Sequence, residues 1–215
     1  MPARQVGKGS LRASILSDTA QHALWIGKPE DALTYVDYAL VRSDRLMPVH
    51  QALLHTMRAR VLATMRRPQD TLTAISQADE HMSHARPDDD PHYMGYYDTA
   101  EHSAIVGEAL ADLAPTGHGT AEATRRLTTA VHGYGPTYTR SKTLTEIRLA
   151  THTLTTGDPR EAAHIAAGAL DHTDTLRSQR ALTNLRHLNH HTTRHTAIPE
   201  IADLNHRLTT HLTDA

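Results

Sequence analysis

One phrase recurs along this chain and constrains its fold more than any other feature. It reads Gly27-Lys28-Pro29-Glu30-Asp31-Ala32-Leu33 at first and Gly157-Asp158-Pro159-Arg160-Glu161-Ala162-Ala163 later. A weaker copy, Arg66-Arg67-Pro68-Gln69-Asp70-Thr71-Leu72, lies between them. Each copy has the chemistry of a turn between two antiparallel helices. Glycine ends a helix by taking the left-handed cap conformation. Proline sits in the first turn of the next helix, where its missing N–H costs nothing. Acidic side chains in that turn suit the positive end of the helix dipole.

The flanks of the phrase keep one register. Seven residues before each turn glycine or its equivalent stand Ala20, Ala59 and Ala150. Five residues after it come Ala32, Thr71 and Ala162, nine after it Val36, Ile75 and Ala166, and twelve after it Ala39, Ala78 and Ala169. Another unit takes Ala114 as its turn and puts Gly107 at the small position. A longer loop through Pro115-Thr116-Gly117-His118-Gly119 follows, and Ala123, Leu127 and Ala130 resume the pattern. A last unit turns near Ala197-Ile198-Pro199-Glu200. Small side chains at these positions let helix axes approach closely. The spacing predicts ten helices, near residues 11–26, 29–43, 48–66, 69–84, 93–113, 120–132, 138–156, 159–172, 178–195 and 199–213.

The pattern resembles the tetratricopeptide (TPR) repeat, in which small residues mark the crossing of two helices and an apolar one packs outward on the next repeat. The aromatic positions of that repeat are mostly not aromatic here, so the resemblance is to a degenerate, TPR-like form. It implies an all-α fold, an α-α superhelix of about five TPR-like antiparallel helical hairpins. Residues 1–10 are expected to be a flexible N-terminus and 11–215 a single repeat domain.

Composition narrows the function classes. Phe is absent and Trp25 is the one tryptophan, which excludes a large aromatic core. A formal net charge of -2 gives no basic surplus for nucleic acid. The absence of cysteine excludes disulfides and thiolate metal sites. The opening MPARQVGKGSLRAS lacks the apolar run of a signal peptide, and no stretch is apolar for the length of a membrane span. A cytoplasmic protein without membrane contact or cofactor is expected.

Three further stretches carry a second resemblance. They are Pro91-His92-Tyr93-Met94-Gly95-Tyr96-Tyr97-Asp98-Thr99-Ala100-Glu101, Arg140-Ser141, and Leu176-Arg177-Ser178. Together they resemble the C-terminal TPR-like region of actinobacterial transcriptional regulators of the XRE (helix-turn-helix) type. That implies a regulatory, sensory role. This sequence shows no DNA-binding domain ahead of the repeats, as expected of either a separate protein built from the sensory region alone or a truncated larger one, so direct contact with nucleic acid is not carried over. A standalone scaffold or adaptor unrelated to transcription is the alternative.

TPR proteins bind partners mainly with the first helix of each hairpin, on the concave side. Counting from the crossing positions, that face takes Ser17 and Gln21, then Leu53, Thr56, Met57 and Arg60. Later units add Glu101, Ile105 and Glu108, then Leu144, Arg148 and Thr151. The mix of Arg, Glu and apolar side chains suits a protein or peptide ligand. Charge reversal at Arg60 or Arg148 is expected to remove binding and spare the fold, unlike a convex change at Arg42 or Glu161. Of Tyr93, Tyr96 and Tyr97, one is expected in the core and another exposed.

Catalysis finds little support. No Gly-x-Ser-x-Gly elbow, P-loop or dinucleotide fingerprint occurs. The chain holds 18 histidines, and His187, His191 and His195 share one helix face by their spacing of four. Two such imidazoles can grip a metal ion, but no carboxylate accompanies them, so surface histidines without metal are expected; a metal-dependent enzyme is the remote alternative. The last helix carries Ile198, Ile201, Leu204, Leu208 and Leu212 as an apolar stripe, part of which is a candidate homodimer surface.

Overall fold

The structure, a computed structural model, describes residues 6–173 and 178–214. Leu176 and Arg177, part of the second resemblance, lie outside the described residues. Among the described residues ten α-helices follow one another: α1 Val6–Trp25, α2 Pro29–Leu40, α3 Pro48–Thr64, α4 Pro68–Ser83, α5 Thr99–Leu113, α6 Thr120–Gly133, α7 Thr139–Thr156, α8 Pro159–Thr173, α9 Gln179–Thr192 and α10 Pro199–Asp214. Single 3-10 turns fill several connections, and the described residues contain no strand.

The recurring phrase forms helical turns as its chemistry requires. Proline opens α2, α3 and α4, where no intrahelical partner awaits its nitrogen. Gly27 is left-handed at φ 75°, and Arg66, its equivalent in the weaker copy, takes the same region at φ 56°. A side chain there carries a cost that glycine avoids. Gly157 differs. Its φ is -133°, and its N–H donates to the Thr153 carbonyl at 2.8 Å. A Cβ at Gly157 would stand 3.3 Å from that same carbonyl oxygen, so this glycine serves close approach and not handedness.

The register emerges intact in the packing. Ala20, Ala59 and Ala150 are fully buried, and Gly107 is buried with them. Ala32, Thr71, Ala123 and Ala162 are fully buried as well, as are Ala39, Ala78, Ala130 and Ala169. Val36, Ile75, Leu127 and Ala166 complete the inward set. Ala59→Leu would force extra methylenes into the α3–α4 crossing and is expected to cost about 1–3 kcal/mol. Chemical denaturation measures it; an unchanged midpoint would contradict the assigned crossing.

Two boundaries differ from the expectation. α1 begins at Val6, not near 11. α5 starts at Thr99, not near 93, because Asp98 accepts hydrogen bonds from the N–H groups of Ala100 and Glu101 at 2.9 Å each and caps the helix there. The tyrosine-rich segment before it is a 3-10 turn over His92–Met94.

Contacts divide the chain into two compact units, Met1–Gly119 and Thr120–Ala215. In the first, α3 packs on α4 and on α5, and α1 on α2. Its core joins Val36, Leu53, Met57, Val61, Met94, Tyr97 and Ile105. In the second, α7 packs on α8 and α9, with Ile147, Leu154, Leu170, Leu185, Leu188, Ile201, Leu204 and Leu208 inside. The stripe of α10 is used within this unit: Ile201 and Leu208 are fully buried, and Ile198 and Leu212 pack against the same core. No helix among the described residues is long and apolar enough to cross a membrane.

Candidate partner-binding surface

The predicted first-helix face divides into a packed part and an accessible part. In the first unit, α3 and α5 lie against each other through that face. Thr56 is fully buried, Leu53 and Met57 nearly so, and Ile105 meets them from α5. Arg60 and Glu108 do not stand open as separate charges. The Arg60 guanidinium meets the Glu108 carboxylate at 3.0 Å, with only 12% and 7% of the two side chains exposed.

Beside that pair runs a buried polar chain that the repeat register does not reveal. The Thr56 hydroxyl lies 2.6 Å from the Tyr97 hydroxyl, and Tyr97 Oη lies 2.9 Å from His102 Nδ1. His102 Nε2 stands 2.7 Å from the Asp79 carboxylate. A carboxylate accepts only, so His102 donates through Nε2–H, and its Nδ1 accepts the Tyr97 proton. Burial pushes the Tyr97 phenol well above its ordinary range. With Thr56 and Tyr97 sealed from solvent, the chain ties α3, α4 and α5 together.

The accessible part lies at the tyrosine turn. Tyr93 and Tyr96 are 54% and 46% exposed, whereas Tyr97 is buried. Tyr93 is anchored by its hydroxyl, 3.1 Å from Nε2 of the buried His50, and the two rings meet edge to face. The Tyr96 phenol is pushed up to about 12, first by burial and then by the carboxylates of Asp18 and Glu101. Asp18 is exposed, and Gln21 and Glu101 are half-buried. This edge of the first unit therefore combines two aromatic faces with negative charge.

In the second unit, Leu144 and Thr151 are buried and Arg148 is half-buried. The Thr151 hydroxyl donates back to the Ile147 carbonyl at 2.8 Å. On α9 the ring nitrogens Nε2 of His187 and His191 approach to 3.3 Å. His195 lies beyond the end of that helix, and no group of three or more metal-capable side chains forms among the described residues.

Sequence reasoning missed Asp79, His50 and His102. Asp79 sits on a second helix, where the count from crossing positions does not look. Nothing in the spacing marks the two histidines among so many.

A histidine pair in the first unit sets a pH response. His55 of α3 stacks on His81 of α4 with ring centroids 5.3 Å apart and planes 18° from parallel. Burial first, then His81 and Arg58, lower the His55 pKa from 6.5 to about 4. The unfolded chain therefore takes up this proton before the folded one does. Stability is unaffected above pH 6.5 and falls as the pH drops from there towards 4. Allowing for solvent screening of a half-exposed ring, the loss is about 1–2 kcal/mol. Melting curves across that window should show a shallower decline for His55→Gln than for the wild type; equal slopes would contradict the assignment.

No family model matches the chain, and no curated protein matches it. Among solved structures it is similar to a kinesin light chain-type protein of Podosopora anserina with nearly identical TPR-like repeats. The TM-score is 0.62 at 14% identity, over 95% of this chain and 96% of that one. A single-site variant of the same protein gives a TM-score of 0.62 at 14% identity, over 94% of both chains. At that identity the likeness concerns the fold: the chain is an all-α protein of TPR-like antiparallel hairpins.

Proposed function

From a TPR-like fold as premise, we propose that this chain is a non-catalytic, cytoplasmic module that binds an extended, basic segment of a partner protein. The supporting observation is the tyrosine turn of the first unit. Tyr93 and Tyr96 present exposed rings, and the Asp18 and Glu101 carboxylates act on Tyr96. Aromatic faces and carboxylates together attract Lys or Arg side chains, through the ring quadrupole and by direct charge pairing. Gln21 and Glu101 are the expected contacts on this surface, and Arg148 and Thr151 belong to the corresponding face of the second unit. Met57, Arg60, Ile105 and Glu108 support the first-unit surface from beneath, by packing α3 against α5.

The context we propose is regulatory, as in the sensory half of a transcriptional regulator. A standalone adaptor uses the same surface with a different partner. The test is site-specific photocrosslinking in cells, with the reactive residue placed at Tyr96 or, as a control, at the exposed Glu161. Discrete adducts from position 96 and none from 161 are expected. Equal adducts from both, or adducts from 161 alone, would overturn the surface assignment. A crosslinked partner that carries a DNA-binding domain would favour the regulatory context over the adaptor.

A further inference from the structure

A second kind of site emerges on the exposed side of α9, in the second unit. His187 and His191 stand one helical turn apart, with Nε2 atoms 3.3 Å from each other and ring planes at 90°. A tetrahedral metal ion with Zn–N bonds of 2.0–2.1 Å requires its two donor nitrogens to lie about 3.3–3.4 Å apart. A square arrangement, with donors at right angles, requires about 2.9 Å. The separation of the pair, held here by a hydrogen bond, matches the tetrahedral value.

The helix beneath is held firmly, which keeps that spacing. Leu185 and Leu188 are fully buried on its inner face. Asn205 of α10 donates to the Asn189 side-chain oxygen at 2.9 Å and to the Thr192 hydroxyl at 2.7 Å. Thr192 in turn donates to the Asn189 carbonyl at 2.7 Å. These bonds bracket the turn that carries His191. His191 is half-buried beside His187, and a metal takes the neutral imidazole through its lone pair.

We propose that His187 and His191 form a two-histidine chelate for a divalent zinc ion. In the metal-free pair, one Nε2–H donates to the other nitrogen. Binding needs that proton to move to Nδ1 of its ring, which frees both Nε2 lone pairs with no net proton release. Zinc then keeps two coordination positions for water or an outside ligand. The site is an addition to a finished fold and not its prop, because α9 is fixed by its leucines and by Asn205.

The experiment is a calorimetric titration of the full chain with zinc chloride, for the wild type, His187→Ala, His191→Ala and His206→Ala. The wild type and His206→Ala should bind one ion per chain. Affinity should fall about tenfold or more in either pair variant. Far-UV circular dichroism confirms that each variant is folded. An unchanged isotherm in His187→Ala and His191→Ala, or no binding by the wild type, would overturn the site. The protein as purified should keep its fold in a strong chelator; a large drop in melting temperature would contradict the independence of fold and metal.

Discussion

Alanine at Arg60 or Glu108 alone is expected to cost about 3–5 kcal/mol, because each change breaks a largely buried ion pair in the α3–α5 contact. The two groups meet at 3.0 Å with little of either side chain exposed. The double reversal, Arg60→Glu with Glu108→Arg, should recover much of the loss. Arg58 offers the contrast. Its partner Asp37 lies at 3.0 Å with 51% of the side chain exposed, so Arg58→Ala should cost less than about 1 kcal/mol. Urea titrations of the four variants measure this. A cost at Arg60 no larger than at Arg58 would mean that the pair is solvated. The charge reversal at Arg60 that sequence alone expects to spare the fold is therefore a stability experiment first. Glu101→Lys is the better probe of binding.

The frame of the protein was legible because its causes are local. Proline and glycine punctuate the hairpins at Gly27-Lys28-Pro29 and Gly157-Asp158-Pro159, and the small residues at fixed offsets mark the crossings. Ala59 and Ala150 are buried because a larger side chain would keep the axes apart. The charged residues were harder to place. Counting along a helix gives a direction for Arg60 and another for Glu108, but not that the next hairpin brings them together. The same holds for Asp79, His102 and Tyr97, which lie on three different segments and meet only in the folded unit. The tyrosine turn was legible as a cluster but not as a surface. Asp98 decides it by starting α5 late, which leaves Tyr93 and Tyr96 outside the helix.

Leu208→Ala in the last helix is expected to cost about 2–5 kcal/mol, as truncation of a fully buried leucine does. Leu208 fills the space between α10 and the rest of the second unit, so the loss includes a cavity as well as lost apolar burial. Leu11, 60% exposed on the first helix, is the matched control and should change stability by less than about 0.5 kcal/mol. Sedimentation should show the same mass for wild type and folded Leu208→Ala. A variant that keeps its stability but changes its state of association would mean that α10 faces a second copy.

The proposed function rests on one surface, and a peptide-display selection tests it most directly. Immobilised full-length chain is panned against a random peptide library, and enriched sequences are titrated against the wild type, Tyr96→Ala and Glu101→Lys. The account predicts enrichment of peptides with spaced Lys or Arg, binding that weakens as salt rises, and loss of that binding in both variants. Selection of acidic or purely apolar peptides, failure to enrich any sequence, or undiminished binding by Tyr96→Ala and Glu101→Lys would contradict it.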